Sequence, residues 1–279
     1  MAQHPLYSVT HIGRPVDPAY PTNLAILVLM PAIGGIAAAL AYHGGADWSS
    51  MFAAFALGGL TVFLTWALGR ELAPDDNPAA FLAVIAVSPA IFWGLSLDLV
   101  LTGLMIGLTR VVNRTVGPPP KPGDVAALLL AVLAVSILRG DWLLPLLAAG
   151  AFGLAGALRD PDPHGRPAAA VCVVIAIALL SRTFEPAGCT CPCDPILWIA
   201  GGCALLFAIV IVAQPAPRSE ADLQPRTLSR RRVQGGMLVA LAAAGLTLRG
   251  GAAGVLSAAP LWAAMIGVVL GRALPRRAA

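Results

Sequence analysis

The chain has 279 residues, of which 58% are hydrophobic and only 11% charged, with a formal net charge of +4. Soluble domains carry nearer a quarter charged residues, so an ordinary cytosolic domain, a disordered tail and a disulfide-stapled secreted domain are all excluded. No polar stretch approaches the roughly 40 residues below which chains rarely fold alone, which leaves no room for a soluble catalytic, nucleotide-binding or nucleic-acid-binding domain.

Residues 1–23 read as a cytoplasmic tail. The first apolar run, Leu24 to Ala41, is longer than the h-region of about 7 to 15 residues in a signal peptide. It reads as the first of about ten spans, each needing roughly 20 apolar residues. The second span covers 48–69. The stretch 79–112 is too long for one span and breaks near Gly94-Leu95-Ser96-Leu97-Asp98. The stretch 125–158 breaks in the same way at Arg139-Gly140-Asp141-Trp142. Spans follow at about 168–183 and 195–213, and two more flank Arg249-Gly250-Gly251. The expectation is an all-α polytopic transmembrane helical bundle, a single transmembrane domain over 24–272. Its five serial helical hairpins are 24–69, 79–112, 125–158, 168–213 and 233–271, and a tail covers 273–279. They repeat with a period of about 45 residues, each with a tight outer turn and a longer inner loop.

Basic residues gather on the cytoplasmic side of membrane proteins. With both termini cytoplasmic, all but Arg139, Arg182 and Arg249 of the 18 basic residues face inward. Lys121 is the only lysine, and the Arg, Ala, Gly and Pro load points to a prokaryotic source. The expected location is the prokaryotic cytoplasmic membrane, multi-pass.

Ionisable residues are scarce within the spans, which argues against an ion-coupled pump. Pro31, Pro89, Pro145 and Pro260 fall inside apolar runs and can kink them. Small-residue pairs such as Gly103–Gly107 and Gly267–Gly271, with Gly150, Gly153 and Gly156, suit close helix packing.

Three polar features are candidates for chemistry. Arg139, Arg182 and Arg249 each end a helix at the outer level. Together they could hold one anion, since guanidinium matches phosphate oxygens bidentately. The plain alternative pairs them with Asp141, Glu185 and Asp194, while Asp47, Asp98, Asp141 and Asp194 serve as helix N-caps. Second, the inner segment with Asp160, Asp162 and His164 offers oxygen and imidazole ligands for a divalent metal. Another inner loop holds Glu71 and Asp75, four residues apart, though Pro74 argues against a continuous helix. Third, Cys189, Cys191 and Cys193 sit in an outer turn, with Cys189–Cys193 the favoured disulfide. Cys172 and Cys203 read as small core hydrophobes.

The favoured function is a small permease-like or substrate-binding bundle. The alternatives are a membrane enzyme acting on a lipid-linked phosphate and a non-catalytic structural subunit of a membrane complex. No Ser-His-Asp set, phosphate loop or HExxH motif is present, and no cofactor is expected beyond the candidate metal. The expected partners are membrane lipids and other membrane subunits, with no nucleic acid.

Overall fold

The computed structural model describes residues 4–183 and 194–274, with the side chains of Arg182 and Thr183 left out. Among the described residues the protein is all-α, with a single isolated bridge between Glu220 and Thr227. A short α1 (Leu6–Val9) precedes α2 (Pro21–His43), α3 (Trp48–Leu72), α4 (Asn77–Phe92) and α5 (Leu99–Asn113). Next come α6 (Pro122–Arg139), α7 (Leu143–Ala157), α8 (Gly165–Thr183) and α9 (Pro195–Val212). Last are α10 (Arg230–Thr247), a 3-10 turn (Leu248–Gly250), α11 (Gly251–Ser257) and α12 (Ala259–Ala273).

Five stretches are long and apolar enough to cross a membrane: α2, α3, α6, α9 and Arg230–Ser257. They mark the chain as a membrane protein. Their outward side chains are apolar too: Phe52, Trp198 and Val212 are all more than 70% exposed, as a lipid-facing surface requires.

Helix starts follow the local sequence. Asp47 accepts the Ser50 N–H at 2.8 Å, Asp98 that of Leu101 at 2.9 Å, and Asp194 that of Ile196 at 2.8 Å. Each satisfies a backbone donor that the first helical turn leaves open. Proline sits within the first turn of α2, α4, α6 and α12, where its missing N–H is no loss. Pro260 is therefore at a helix start, and Pro145 is the third residue of α7, still in its first turn. Pro31 and Pro89 lie inside α2 and α4, which continue through them. The break at Arg249 is a 3-10 turn followed by α11, so a further short helix separates α10 from α12.

The chain divides into two compact units. Unit 1 comprises Met1–Pro15, Leu104–Pro192 and Ile211–Arg249; unit 2 comprises Val16–Gly103, Cys193–Val210 and Gly250–Ala279. In unit 2, α3 packs on α2 and α4, and α12 packs on α4 and α3. A Cβ at Gly267 would stand 2.4 Å from the Ala79 carbonyl oxygen and 2.6 Å from the Ala83 nitrogen. The backbones of α12 and α4 touch only because that side chain is absent. In unit 1, α7 packs on α8, α10 and α6. Gly150 and Gly153 of α7 face open space, whereas Gly156 lies against Gly165 and Arg166.

Because the neighbours of Gly267 are backbone atoms that cannot yield, Gly267→Ala should destabilise the protein by about 1–3 kcal/mol, the usual range for overpacking. Gly150→Ala should have no such effect. Thermal unfolding of the two variants in detergent checks this contrast.

Candidate functional site

The densest polar cluster lies in unit 1, where α5 and α7 end and α10 begins. Arg232, in the first turn of α10, is only 4% exposed. Its Nη1 donates to the Val112 carbonyl at 2.9 Å; its Nη2 donates to Arg159 O at 3.0 Å and Asp160 O at 2.7 Å. The last carbonyls of a helix have no intrahelical donor, and a cation there meets the negative end of the helix dipole. One guanidinium thus ties the end of α5 to the turn that follows α7. Close packing helps: a Cβ at Gly236 would reach the Asn113 side chain.

Two residues beside this tie have left-handed backbones, Arg114 (φ 54°) and Asp160 (φ 63°), and they are the only non-glycine residues with positive φ among the described residues. Strained backbone of this kind collects at functional sites. The two are ion-paired, Arg114 Nη1 to Asp160 Oδ2 at 3.3 Å, and the same oxygen accepts from Arg226 Nη1 at 2.8 Å. The Arg114 side chain is 4% exposed, while those of Asp160 and Arg226 are about half exposed, at 52% and 51%. Arg114 Nε and Nη2 are buried and have no hydrogen-bond partner. These adjacent nitrogens form the edge of a guanidinium that grips two oxygens at once.

Arg226 arrives on the segment 213–229. Asp222 N–H donates to Thr115 O and Leu223 N–H to Val116 O, at 3.1 and 3.0 Å. The segment also folds on itself, Ala221 N–H to Arg226 O and Leu228 N–H to Ser219 O. Gly117, at φ 112°, lies with its Cα side against Ala221 and Gln224. The N-terminal segment pins the same loop. Arg14 grips Asp222 bidentately, both contacts at 2.7 Å, and the Tyr7 hydroxyl donates to it at 3.1 Å. Burial, aided by Asp222, pushes the Tyr7 phenol up to about 12. Lys121 Nζ donates to the carbonyls of Tyr7 and Ser8, and Asp124 accepts the His11 N–H.

The hydrogen bond from Arg226 holds the Asp160 carboxyl below its ordinary range, with the charges of Arg114, Arg226 and Arg232 acting in the same direction. Burial pulls the Arg114 guanidinium down, and Asp160 and Asp162 pull it back up.

The residues expected from sequence fall as follows. Asp160 belongs to the arginine cluster. Asp162 is 2% exposed; its Oδ1 accepts the His164 N–H at 2.9 Å in a tight turn, and its own N–H donates to Ala155 O. Among the described residues no three His, Cys, Asp or Glu side chains come together as metal ligands. Arg249 lies 3.7 Å from Asp141, whose Oδ1 also accepts the Leu143 N–H. Arg139 is exposed at the end of α6. The Arg182 side chain, Glu185 and Cys189, Cys191 and Cys193 lie outside the described residues. Cys172 is buried and Cys203 half-buried, both as free thiols. Glu71 lies in the last turn of α3, fully buried; α3 stops at Leu72, so Asp75 is off that helix.

Unit 2 holds a cavity of about 390 Å³ lined by Leu40, Leu57, Thr61, Ile91 and Trp93 among others, none of them ionisable. The Thr61 hydroxyl is spent on the Leu57 carbonyl. Comparison with protein-family models, with curated proteins and with solved structures finds no match.

A carboxyl with a depressed folded pKa contributes stability that is complete above its ordinary value and is lost as pH falls through the folded one. The ordinary value here is 3.8. In phosphate-free buffer, Asp160→Asn should therefore melt below the wild type at both about pH 7 and about pH 5. The gap should close only as the pH drops beneath 3.8. Melting curves across this range provide the check.

Proposed function

We propose that the protein is a substrate-binding membrane bundle of permease type that takes up an anion at the inner ends of its unit 1 helices. The observation that carries this reading is Arg114: a buried guanidinium with its Nε–Nη2 edge unpartnered, beside a second arginine on a solvent-facing loop. Leaving a buried charged donor unsatisfied is costly, and an anionic substrate removes that penalty. The basin beside the cluster has a volume of about 570 Å³, ample for a small anion or a lipid headgroup.

The enzyme alternative has less support. Asp160 is engaged by two arginines and Asp162 Oδ1 by its turn, while Asp162 Oδ2 is buried without a hydrogen-bond partner. Asp162 is 2% exposed and does not line the basin, so it offers a substrate there no acid or base. A purely structural subunit would have no use for the buried, unsatisfied donors of Arg114.

The full reading has ten spans with both termini in the cytoplasm of a prokaryote, no bound cofactor, and membrane lipids as neighbours. Its support is the one-sided arginine distribution and the five shorter apolar helices, α4, α5, α7, α8 and α12, between or after the longer ones.

Two experiments test it. Calorimetric titration of the purified protein with inorganic phosphate should give a saturable isotherm, and Arg114→Gln should weaken it by at least about tenfold, a loss of roughly 1.4 kcal/mol. Arg226→Gln, at an exposed position, should weaken it as well without threatening the fold. For topology, single cysteines at Ser219 and Ala46 in a cysteine-free background should label oppositely in intact cells. An impermeant reagent should reach Ala46→Cys and miss Ser219→Cys.

A further inference from the structure

Two spaces of very different size meet at the arginine cluster. The inner one, lined in part by Arg114, Gly117 and Arg232, measures about 20 Å³. That is room for about one water. The outer one, lined by Arg159 and Leu228 among others, is about 570 Å³. Asp160 and Arg226 line both. Asp160 thus lies on the lining that the two spaces share.

Resting on the anion-binding reading above, we propose that Asp160 is a tethered stand-in for the substrate, and that the substrate carries a phosphate dianion which displaces this carboxylate from Arg114 and Arg226. Three observations support the exchange. The Asp160 oxygen already bridges the two guanidinium groups, at 3.3 and 2.8 Å, so it occupies the position that favours a negative charge. The carboxylate can leave without being stranded, because its side chain is 52% exposed. Its backbone need not follow, since Arg232 holds the Asp160 carbonyl at 2.7 Å.

Charge selects the dianion. Four arginines, Arg114, Arg159, Arg226 and Arg232, line the two spaces against one carboxylate. A tethered group competes at an effective concentration in the mM range or above. A free monocarboxylate only swaps like for like and loses to the tether. A phosphate brings a second charge and a third oxygen, enough to replace the Asp160 oxygen between Arg114 Nη1 and Arg226 Nη1. The same chemistry is offered by inorganic phosphate, by a soluble phosphomonoester and by a phosphomonoester lipid headgroup.

The test uses the full chain in detergent, titrated calorimetrically with inorganic phosphate. Asp160→Asn should bind phosphate at least about tenfold more tightly than the wild type, and acetate should bind neither. Asp160→Ala should shift affinity in the same direction and serves if the asparagine variant fails to fold. The gain should vanish in an Arg114→Gln background, as coupling between contacting residues requires. Nanodiscs containing phosphatidic acid or phosphatidylcholine distinguish the sources. Retention of phosphatidic acid by Asp160→Asn, with no phosphate isotherm, assigns a lipid headgroup; a phosphate isotherm assigns a soluble ligand. Folded Asp160 variants that bind phosphate and phosphatidic acid no better than the wild type overturn the stand-in, while leaving the anion site itself intact if Arg114→Gln still weakens the wild-type interaction. Absence of either ligand from every variant overturns both.

Discussion

The guanidinium of Arg232 holds the polar end of unit 1 together. A buried cation is tolerable only when its charge and its donors are matched. Here the match comes from backbone, the carbonyls of Val112, Arg159 and Asp160, which belong to the ends of α5 and of the turn after α7. Those carbonyls would otherwise be unsatisfied at the edge of an apolar bundle. The bond to the Asp160 carbonyl fixes that residue's backbone beside the cluster. Arg114 and Arg226 then converge on its carboxylate from two other segments. The site is a consequence of how three helix ends are joined.

The two units solve different problems. Unit 2 packs by small residues, with Gly267 letting α12 approach the backbone of α4, and its cavity is lined without a titratable group. Unit 1 concentrates its charges at one end. There the N-terminal segment closes on the 213–229 loop through Asp222, and that loop carries Arg226. The sequence stretch that adds least to the bundle thus steadies a loop that lines the basin.

The helices were legible because their signals are local. Apolar run length, Asp47, Asp98 and Asp194 just ahead of helix starts, and the glycine-bearing breaks at Gly94 and Gly140 mark the elements where they occur. Asp160 was legible as a polar candidate, but its chemistry was not. Its partners lie 46 and 66 residues away, and local spacing to Asp162 and His164 suggested metal ligands instead. Asp162 gives Oδ1 to its own turn, and its Oδ2 is buried without a partner. One signal was available. Arg230, Arg231 and Arg232 occupy the first turn of α10, where the helix dipole disfavours cations. A residue placed against that preference needs a compensating partner, and Arg232 finds one in the carbonyls of two other helix ends.

The central claim is that an anion binds at Arg114. Its most direct measurement is anomalous diffraction from crystals of the wild type and of Asp160→Asn grown with arsenate, a tetrahedral dianion that shares phosphate's geometry. The account requires an arsenic peak within hydrogen-bonding reach of the Arg114 and Arg226 guanidinium groups, stronger in Asp160→Asn, with the wild-type carboxylate turned out wherever the peak is present. Arsenic found only at Arg139 or Arg249, or no peak at Arg114 in either crystal, would contradict it.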